Sequence, residues 1–209
     1  ILCFVLALFM ILTPLLSLDY SSFSLSNVKS TFQKENDSKD EEKPLDEKSD
    51  SVKIKSAASG NVATASTKEY IIGCVAAEMP ATYSTEALKA QAVCAYTNLV
   101  RLKKNPDSSL SGADISDDPG RHQGYYDTET QKEKWGDKYD EYRAKTEEAV
   151  NDVLGKTIVF NGEPIVAAYC AISPGRTESA ENIWGGKIDY LVSVTSPGDK
   201  LSPDCIKAV

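Results

Sequence analysis

The spacing of apolar residues predicts a helix over residues 67–79. Ile71, Val75 and Glu78 lie four and then three positions apart, so one face of this helix carries all three side chains. Pro80 disfavours helical geometry at the residue before it, and we therefore expect the helix to end there with Glu78 in its last turn. The pattern places a carboxyl group at the end of an apolar stripe.

Two later segments also have helical spacing. Ser84 is a favourable N-cap for a second helix, and residues 140–154 recover the helical period up to Gly155. Between these helices, residues 106–126 are rich in Ser, Asp, Gly and Pro and contain the only histidine of the chain. We expect a long loop there, and long loops inside domains often carry function.

Strand-like segments follow the helices. Residues 156–160 and 164–172 flank an Asn161-Gly162 pair, which is typical of a β-hairpin with a type I′ turn. Residues 190–194 are expected to add another strand. Because the helices come first and the strands later, the sequence predicts an α+β fold, with helices packed on a mostly antiparallel sheet.

The N-terminal part has a different composition. Residues 1–18 form an apolar stretch close to the length of a membrane-spanning helix, and we expect a single-pass anchor or a signal segment. The absence of a small-residue cleavage site favours the anchor. Residues 19–66 are predicted to be a disordered, charged linker. We expect one folded domain at residues 67–209, continuing beyond the last residue and lying outside the cytoplasmic membrane.

Charge and cysteine content narrow the choice of ligand. The net charge of −8 argues against nucleic acid, whose phosphates require clustered Lys and Arg. Five cysteines occur without a Cys-x-x-Cys pair, so neither a zinc knuckle nor a redox motif is indicated. Cys74 and Cys94 lie within helical apolar patterns, where we expect buried free thiols. No cofactor is expected.

Glu78 is the strongest candidate for chemistry. A carboxyl group that ends an apolar stripe loses part of its hydration, which favours the protonated form that a general acid uses. A glutamate in a salt bridge or a helix cap would show the same pattern, so the spacing leaves both interpretations open.

Several motifs, taken together, resemble the stage II sporulation protein D family. They occur in this order: Ala76-Ala77-Glu78-Met79-Pro80, Glu86-Ala87-Leu88-Lys89-Ala90-Gln91-Ala92-Val93, His122-Gln123-Gly124-Tyr125, Ser173-Pro174-Gly175-Arg176-Thr177-Glu178-Ser179, Trp184-Gly185-Gly186 and Tyr190-Leu191-Val192-Ser193-Val194. The resemblance implies a lytic transglycosylase that cuts peptidoglycan during engulfment in spore formation. Relatives include a protein that enhances an autolytic amidase.

The resemblance also implies a mechanism with one carboxylate. Glu78 would protonate the leaving glycosidic oxygen, and its carboxylate would then help the C6 hydroxyl of N-acetylmuramic acid attack C1, leaving a 1,6-anhydro end. Ordinary hydrolysis usually needs a second carboxylate, whereas here the sugar supplies the nucleophile. The expected substrate-binding residues are Gln91, His122, Gln123, Tyr125, Ser173, Thr177 and Trp184. For each of them, a loop hydrogen bond, helix-surface solvation or core packing is the alternative role.

The chain departs from the family pattern at three places. Many relatives have Ala-Ala-Arg-Thr where this chain has Cys94-Ala95-Tyr96-Thr97, and Ser-Gly-Gly where it has Ser173-Pro174-Gly175. Some relatives bind zinc through a cysteine and a His-Cys pair, at positions that correspond to Ser116, Arg121 and His122. A lone histidine cannot complete a four-coordinate site, so no metal is expected and His122 is a loop partner or a substrate contact.

Three functions remain open at this point. The first is an anchored lytic transglycosylase that acts on glycan strands beside an amidase. The second is a non-catalytic protein that binds peptidoglycan and enhances an amidase, and the third is a purely structural membrane-tethered domain. In a sporulating cell, the resemblance places the domain in the intermembrane space between forespore and mother cell.

Overall fold

The computed structural model describes residues 51–201, which divide into two compact units, residues 51–171 and residues 172–201. Within the described residues, none of the helices is both long enough and apolar enough to cross a membrane. The predicted anchor at residues 1–18 lies outside the described part of the chain.

The first unit combines helices with two small sheets. Its elements are β1 (Ser51–Lys55), β2 (Val62–Ser66), α1 (Thr67–Glu78), α2 (Thr85–Lys104), β3 (Ile115–Ser116), α3 (Thr128–Trp135), α4 (Tyr139–Asn151), β4 (Val159–Phe160) and β5 (Glu163–Pro164). The first sheet has the strand order β2-β1-β3, with β1 antiparallel to β2 and parallel to β3, and β4 pairs with β5 in an antiparallel hairpin. The predicted α+β class is confirmed.

The β1–β2 hairpin corrects the predicted linker. Ser51 pairs with Ser66 at the open end of the hairpin, and Val52 and Ile54 are buried at alternate positions of β1. Only two apolar residues show this period of two, and the polar residues around them continue the composition of the preceding charged run, so the signal in the sequence is weak. The folded part therefore begins by Ser51, and the linker predicted at residues 19–66 ends too late.

The two predicted helices on either side of Pro80, α1 and α2, are confirmed. Ser66 caps α1, since its side chain accepts a hydrogen bond from the Glu69 backbone, and α1 ends at Glu78. Met79 is extended at φ −140°, as a residue before proline should be. Ser84 caps α2 by accepting from the Ala87 N–H at 3.3 Å.

The two helices pack against α4 and the first sheet. The largest fully buried side chains of α1 and α2 include Tyr70, Ile71, Ile72, Leu88 and Leu99. Helix α4 confirms the predicted third helix, which it shortens to residues 139–151. The sequence did not predict α3, because it is almost wholly polar and buries only Gln131.

Part of the loop between α2 and α3 forms regular secondary structure. It contains a short 3₁₀ turn at Ser108–Leu110 and the strand β3, which extends the first sheet. Further on, Asn161 and Gly162 both have positive φ, at 52° and 78°, as a type I′ turn requires. The predicted hairpin is confirmed there, although its paired strands are short.

The second unit is mostly irregular. It contains α5 (Ala180–Trp184) and a 3₁₀ segment at Pro197–Leu201. The strand predicted at residues 190–194 is wrong, since only a single bridge forms between Arg176 and Thr195. The reason is that the Val194 N–H donates to the Thr177 hydroxyl at 3.0 Å instead of to a carbonyl, which interrupts the ladder.

Candidate active site

The carboxyl group of Glu78 lies at the tip of α1, where the proline-directed bend leaves it half-buried. Its Oε1 accepts a hydrogen bond from the Gly124 N–H at 2.6 Å. The ion pairs formed within residues 51–201 do not include Glu78. The carboxyl group is therefore held by a backbone donor and is not neutralised by a cation of the described chain.

Gly124 has to be glycine for this contact to form. A Cβ atom at this position would lie 3.0 Å from Oε1 of Glu78 and 3.2 Å from the Cβ of Ala77. Both distances are tighter than ordinary van der Waals contact. The absence of a side chain lets the loop backbone approach the end of α1 closely enough to donate to the carboxyl group.

His122 stabilises the loop that carries Gly124. Its Nδ1 accepts a hydrogen bond from the Ser116 N–H at 3.0 Å. Partial burial lowers the pKa of His122, and the nearby charge of Arg121 lowers it further. The neutral ring is the form that Nδ1 needs to accept. Of the two roles predicted for His122, the structure shows the loop partner.

Gln123 and Tyr125 attach the same loop to the helices. The Gln123 amide is 3% exposed and donates to the Tyr70 hydroxyl at 3.1 Å and to the Ala95 carbonyl at 3.4 Å. The ring of Tyr125 stacks on Tyr70 with centroids 5.7 Å apart. These bonds position the Gly124 N–H, and direct contact of either side chain with a substrate stays a prediction.

Tyr169 lies beside the carboxyl group. The Tyr169 hydroxyl interacts with the side chains of both Glu78 and Gln91, and 39% of the residue is exposed. Gln91 is buried on α2, and its Nε2 has no partner at hydrogen-bond geometry among the described residues. Tyr169 is thus a shared neighbour of Gln91 and Glu78, and the predicted action of Gln91 on the acid stays a prediction.

The sequence reasoning did not single out Tyr169. Burial raises its pKa well above the usual range, and the negative charge of Glu78 raises it further. Tyr169 belongs to the predicted strand at residues 164–172 and lies shortly before the Ser173-Pro174-Gly175 motif. A tyrosine at that place was a possible signal, but its proximity to Glu78 depends on the tertiary fold.

Ser173, Thr177 and Trp184 belong to the second unit. The Ser173 N–H and hydroxyl both donate to Asp199, with an N–O distance of 2.9 Å. The Thr177 N–H donates to the Val194 carbonyl at 2.9 Å, and Trp184 is 60% exposed at the end of α5. Their predicted contact with a substrate held by Glu78 stays a prediction.

The described part of the chain does not offer a cluster of metal ligands. Between residues 51 and 201, no group of three or more His, Cys, Asp or Glu side chains could hold a metal ion. Where some relatives are expected to place zinc ligands, Ser116 donates its N–H to His122, and Arg121 forms an ion pair with Asp107. Internal hydrogen bonds and an ion pair therefore order this part of the loop.

Comparison with known proteins identifies the family. The model of the stage II sporulation protein family, SpoIID, matches residues 55–160, which is half of the chain. The chain belongs to this family. The resemblance drawn from the motifs is confirmed, and the match includes α1, α2 and the loop that donates to Glu78.

Individual relatives agree with the family match. The chain is 40% identical to stage II sporulation protein D of Bacillus subtilis (strain 168) over 73% of its length and 45% of that protein. It is 38% identical to the Bacillus amyloliquefaciens protein of the same name, over 80% of this chain and 49% of the relative. An amidase enhancer of Bacillus subtilis (strain 168) is 28% identical over 58% of this chain and 14% of the enhancer. The chain spans about half the length of the two sporulation proteins.

Proposed function

We propose that this member of the stage II sporulation protein family is a lytic transglycosylase that cleaves the bond between N-acetylmuramic acid and N-acetylglucosamine in peptidoglycan. The observation that carries the proposal is the Glu78 carboxyl group, half-buried and held at 2.6 Å by the Gly124 N–H, without an ion-pair partner among residues 51–201. Such a group is held by one backbone donor and can still exchange a proton with a ligand.

The reaction requires one group that acts first as an acid and then as a base. Protonated Glu78 gives its proton to the glycosidic oxygen as the bond from that oxygen to C1 of the muramic acid breaks. The resulting carboxylate accepts the proton of the C6 hydroxyl as O6 bonds to C1. No water is consumed, the glutamate returns to its starting form, and the product carries a 1,6-anhydro end.

The neighbouring donors suit the charge that develops during this reaction. The hydroxyl of Tyr169 interacts with the side chains of Glu78 and Gln91, and both this hydroxyl and the Gln91 amide are uncharged dipoles. Fixed dipoles stabilise an oxocarbenium-like transition state without being reoriented during the reaction. We assign Gln91 the role of orienting the acid.

We also propose where the reaction takes place. Residues 1–18 would anchor the protein as a single span, with the domain outside the cytoplasmic membrane and facing peptidoglycan. In a sporulating cell this is the space between forespore and mother cell. An amidase that removes stem peptides is the proposed partner in cell-wall remodelling.

The test is an analysis of glycan-strand products by mass spectrometry. Purified protein, Glu78→Gln and the control Glu148→Gln are incubated with strands that carry or lack stem peptides. Glu148 is a good control because it is an exposed glutamate on α4. We expect anhydro-ended fragments from wild type and from Glu148→Gln only. Fragments with reducing ends, or equal yields from Glu78→Gln, would refute the proposed reaction.

The second candidate is a non-catalytic enhancer of an amidase. It is favoured by the likeness to the amidase enhancer and by Tyr96, which stands where many relatives are expected to have arginine. Binding of glycan strands without anhydro products, together with faster peptide release by an added amidase, would support this alternative.

A further inference from the structure

Two segments of the first unit reach the Glu78 carboxyl group from different parts of the chain. One is the loop at residues 122–125, which donates the Gly124 N–H. The other is the segment that contains Ala167 and Tyr169, whose hydroxyl interacts with Glu78. Neither segment is a regular helix or strand, so their positions depend on side-chain hydrogen bonds.

Asn98 of α2 fixes the second segment. Its Oδ1 accepts from the Ala167 N–H at 3.0 Å, and its Nδ2 donates to the Ala167 carbonyl at 3.0 Å. The amide thus pairs with both backbone groups of one residue, as a neighbouring strand would. Asn98 and Ala167 are 9% and 4% exposed, so water does not compete effectively for these bonds.

The same amide also reaches the first segment. Nδ2 of Asn98 lies 3.5 Å from Oε1 of Gln123, the residue that precedes Gly124. One buried side chain therefore joins the two segments that meet at Glu78. Asn98 therefore holds the segment of Tyr169 through two hydrogen bonds and contacts the segment of Gly124 at the limit of hydrogen bonding.

We propose that Tyr169 is a positioning residue for the Glu78 carboxyl group and that Asn98 holds it in place. A carboxyl group with one hydrogen bond can still turn about its last side-chain torsion, which has a broad energy profile. A second partner restricts that rotation and keeps the acid aligned with the glycosidic oxygen. The proposal rests on the proposed transglycosylase activity.

The chemistry of Tyr169 suits this role. Burial raises the pKa of its hydroxyl, and Glu78 raises it further, so the group keeps its proton at neutral pH and can donate. With 39% of the residue exposed, the tyrosine faces solvent on one side and Glu78 on the other. A bound saccharide could therefore approach Glu78 alongside this ring.

The first experiment compares Tyr169→Phe with Tyr83→Phe on purified glycan strands. Tyr83 is also 39% exposed, and its hydroxyl forms no hydrogen bond among the described residues, which makes it a matched control. Loss of a hydrogen bond to an ionisable group should lower kcat about tenfold to a hundredfold, with KM changed less than about twofold. Tyr83→Phe should match wild type. Equal kcat values for all three proteins would overturn the proposal.

The second experiment does not depend on activity. Tyrosine labelled with ¹³C at the hydroxyl-bearing carbon gives one NMR signal per residue, and the Tyr169 signal is assigned by its loss in Tyr169→Phe. Glu78→Gln and Asn98→Ala should each shift the Tyr169 signal while the Tyr83 signal stays in place. An unmoved Tyr169 signal in Glu78→Gln would overturn the positioning role.

The two experiments separate the two proposals. If wild type forms no anhydro ends, the proposed reaction fails, and the NMR signals still decide whether Tyr169 positions the carboxyl group. If wild type is active and only the Tyr169 proposal is wrong, kcat of Tyr169→Phe and the Tyr169 signal in Glu78→Gln both stay unchanged.

Discussion

Replacing Asn98 with alanine should destabilise the domain strongly. The substitution leaves the N–H and the carbonyl of Ala167 without partners, and both are buried and bonded at 3.0 Å. A buried polar group that loses its partner costs about 1–3 kcal/mol. The contact with Gln123, at 3.5 Å, is at the limit of hydrogen bonding and adds little. The free energy of unfolding should fall by about 2–5 kcal/mol.

The assay is urea denaturation followed by circular dichroism, with Asn105→Ala as the control. Asn105 is also an asparagine associated with α2, but it is exposed and makes one side-chain bond, to the Arg101 carbonyl at 3.3 Å. Its loss should cost less than about 1 kcal/mol. The reasoning would be refuted if the two variants shifted the urea midpoint equally with unchanged slopes.

Three further outcomes can be measured on the same protein. Gly73→Ala should lower the free energy of unfolding by about 1–3 kcal/mol in the same urea assay, because the new Cβ would lie 2.4 Å from the Tyr125 ring; an unchanged midpoint would contradict this. The free energy of unfolding should decrease as the pH falls below about 6.5, because His122 has a lowered pKa in the folded protein and therefore binds a proton more readily in the unfolded protein. Urea curves at pH 7.5 and 5.5 measure this decrease, which should be smaller in His122→Gln. Iodoacetamide should alkylate the exposed Cys170 in the folded protein, whereas it should alkylate Cys74, which is buried and has a raised pKa, only after unfolding. Mass spectrometry follows the alkylation of each cysteine, and equal rates for Cys74 and Cys170 in the folded protein would contradict the burial of Cys74.

The parts of the fold that the sequence predicted are those with local signals. Pro80 and Ser84 determine where α1 ends and α2 begins, and Asn161-Gly162 requires a tight turn whatever surrounds it. The position of Glu78 followed from the first of these signals. Cys74 was expected to be a buried thiol for the same kind of reason, and it is.

The elements that were not predicted depend on tertiary contacts. Strand β1 has only two buried residues, and its period is visible only once β2 and β3 pair with it. Helix α3 has no apolar stripe, and its N-cap at Asp127 was its main local signal. The strand predicted at residues 190–194 failed because a threonine hydroxyl replaced a backbone acceptor.

In the candidate site too, some residues have local sequence signals and others depend on tertiary contacts. The motifs indicated Glu78, Gln91 and the loop at residues 122–125, and the fold brings Glu78 and this loop into contact. Tyr169 and Asn98 were not indicated, because each acts through partners far away in the sequence. Only the folded chain shows that one amide joins two segments.

The register of the β1–β2 hairpin determines where Ser51 lies relative to helix α1. Ser51, where the described chain begins, is paired with Ser66, and α1 starts at the next residue without an intervening loop. A helix of 12 residues is about 18 Å long. Ser51 therefore lies beside one end of this rod, and Glu78 lies at the other. In the proposed anchored arrangement, the domain would be attached at that end, and the Glu78 carboxyl group would point away from the attachment towards a polymeric substrate.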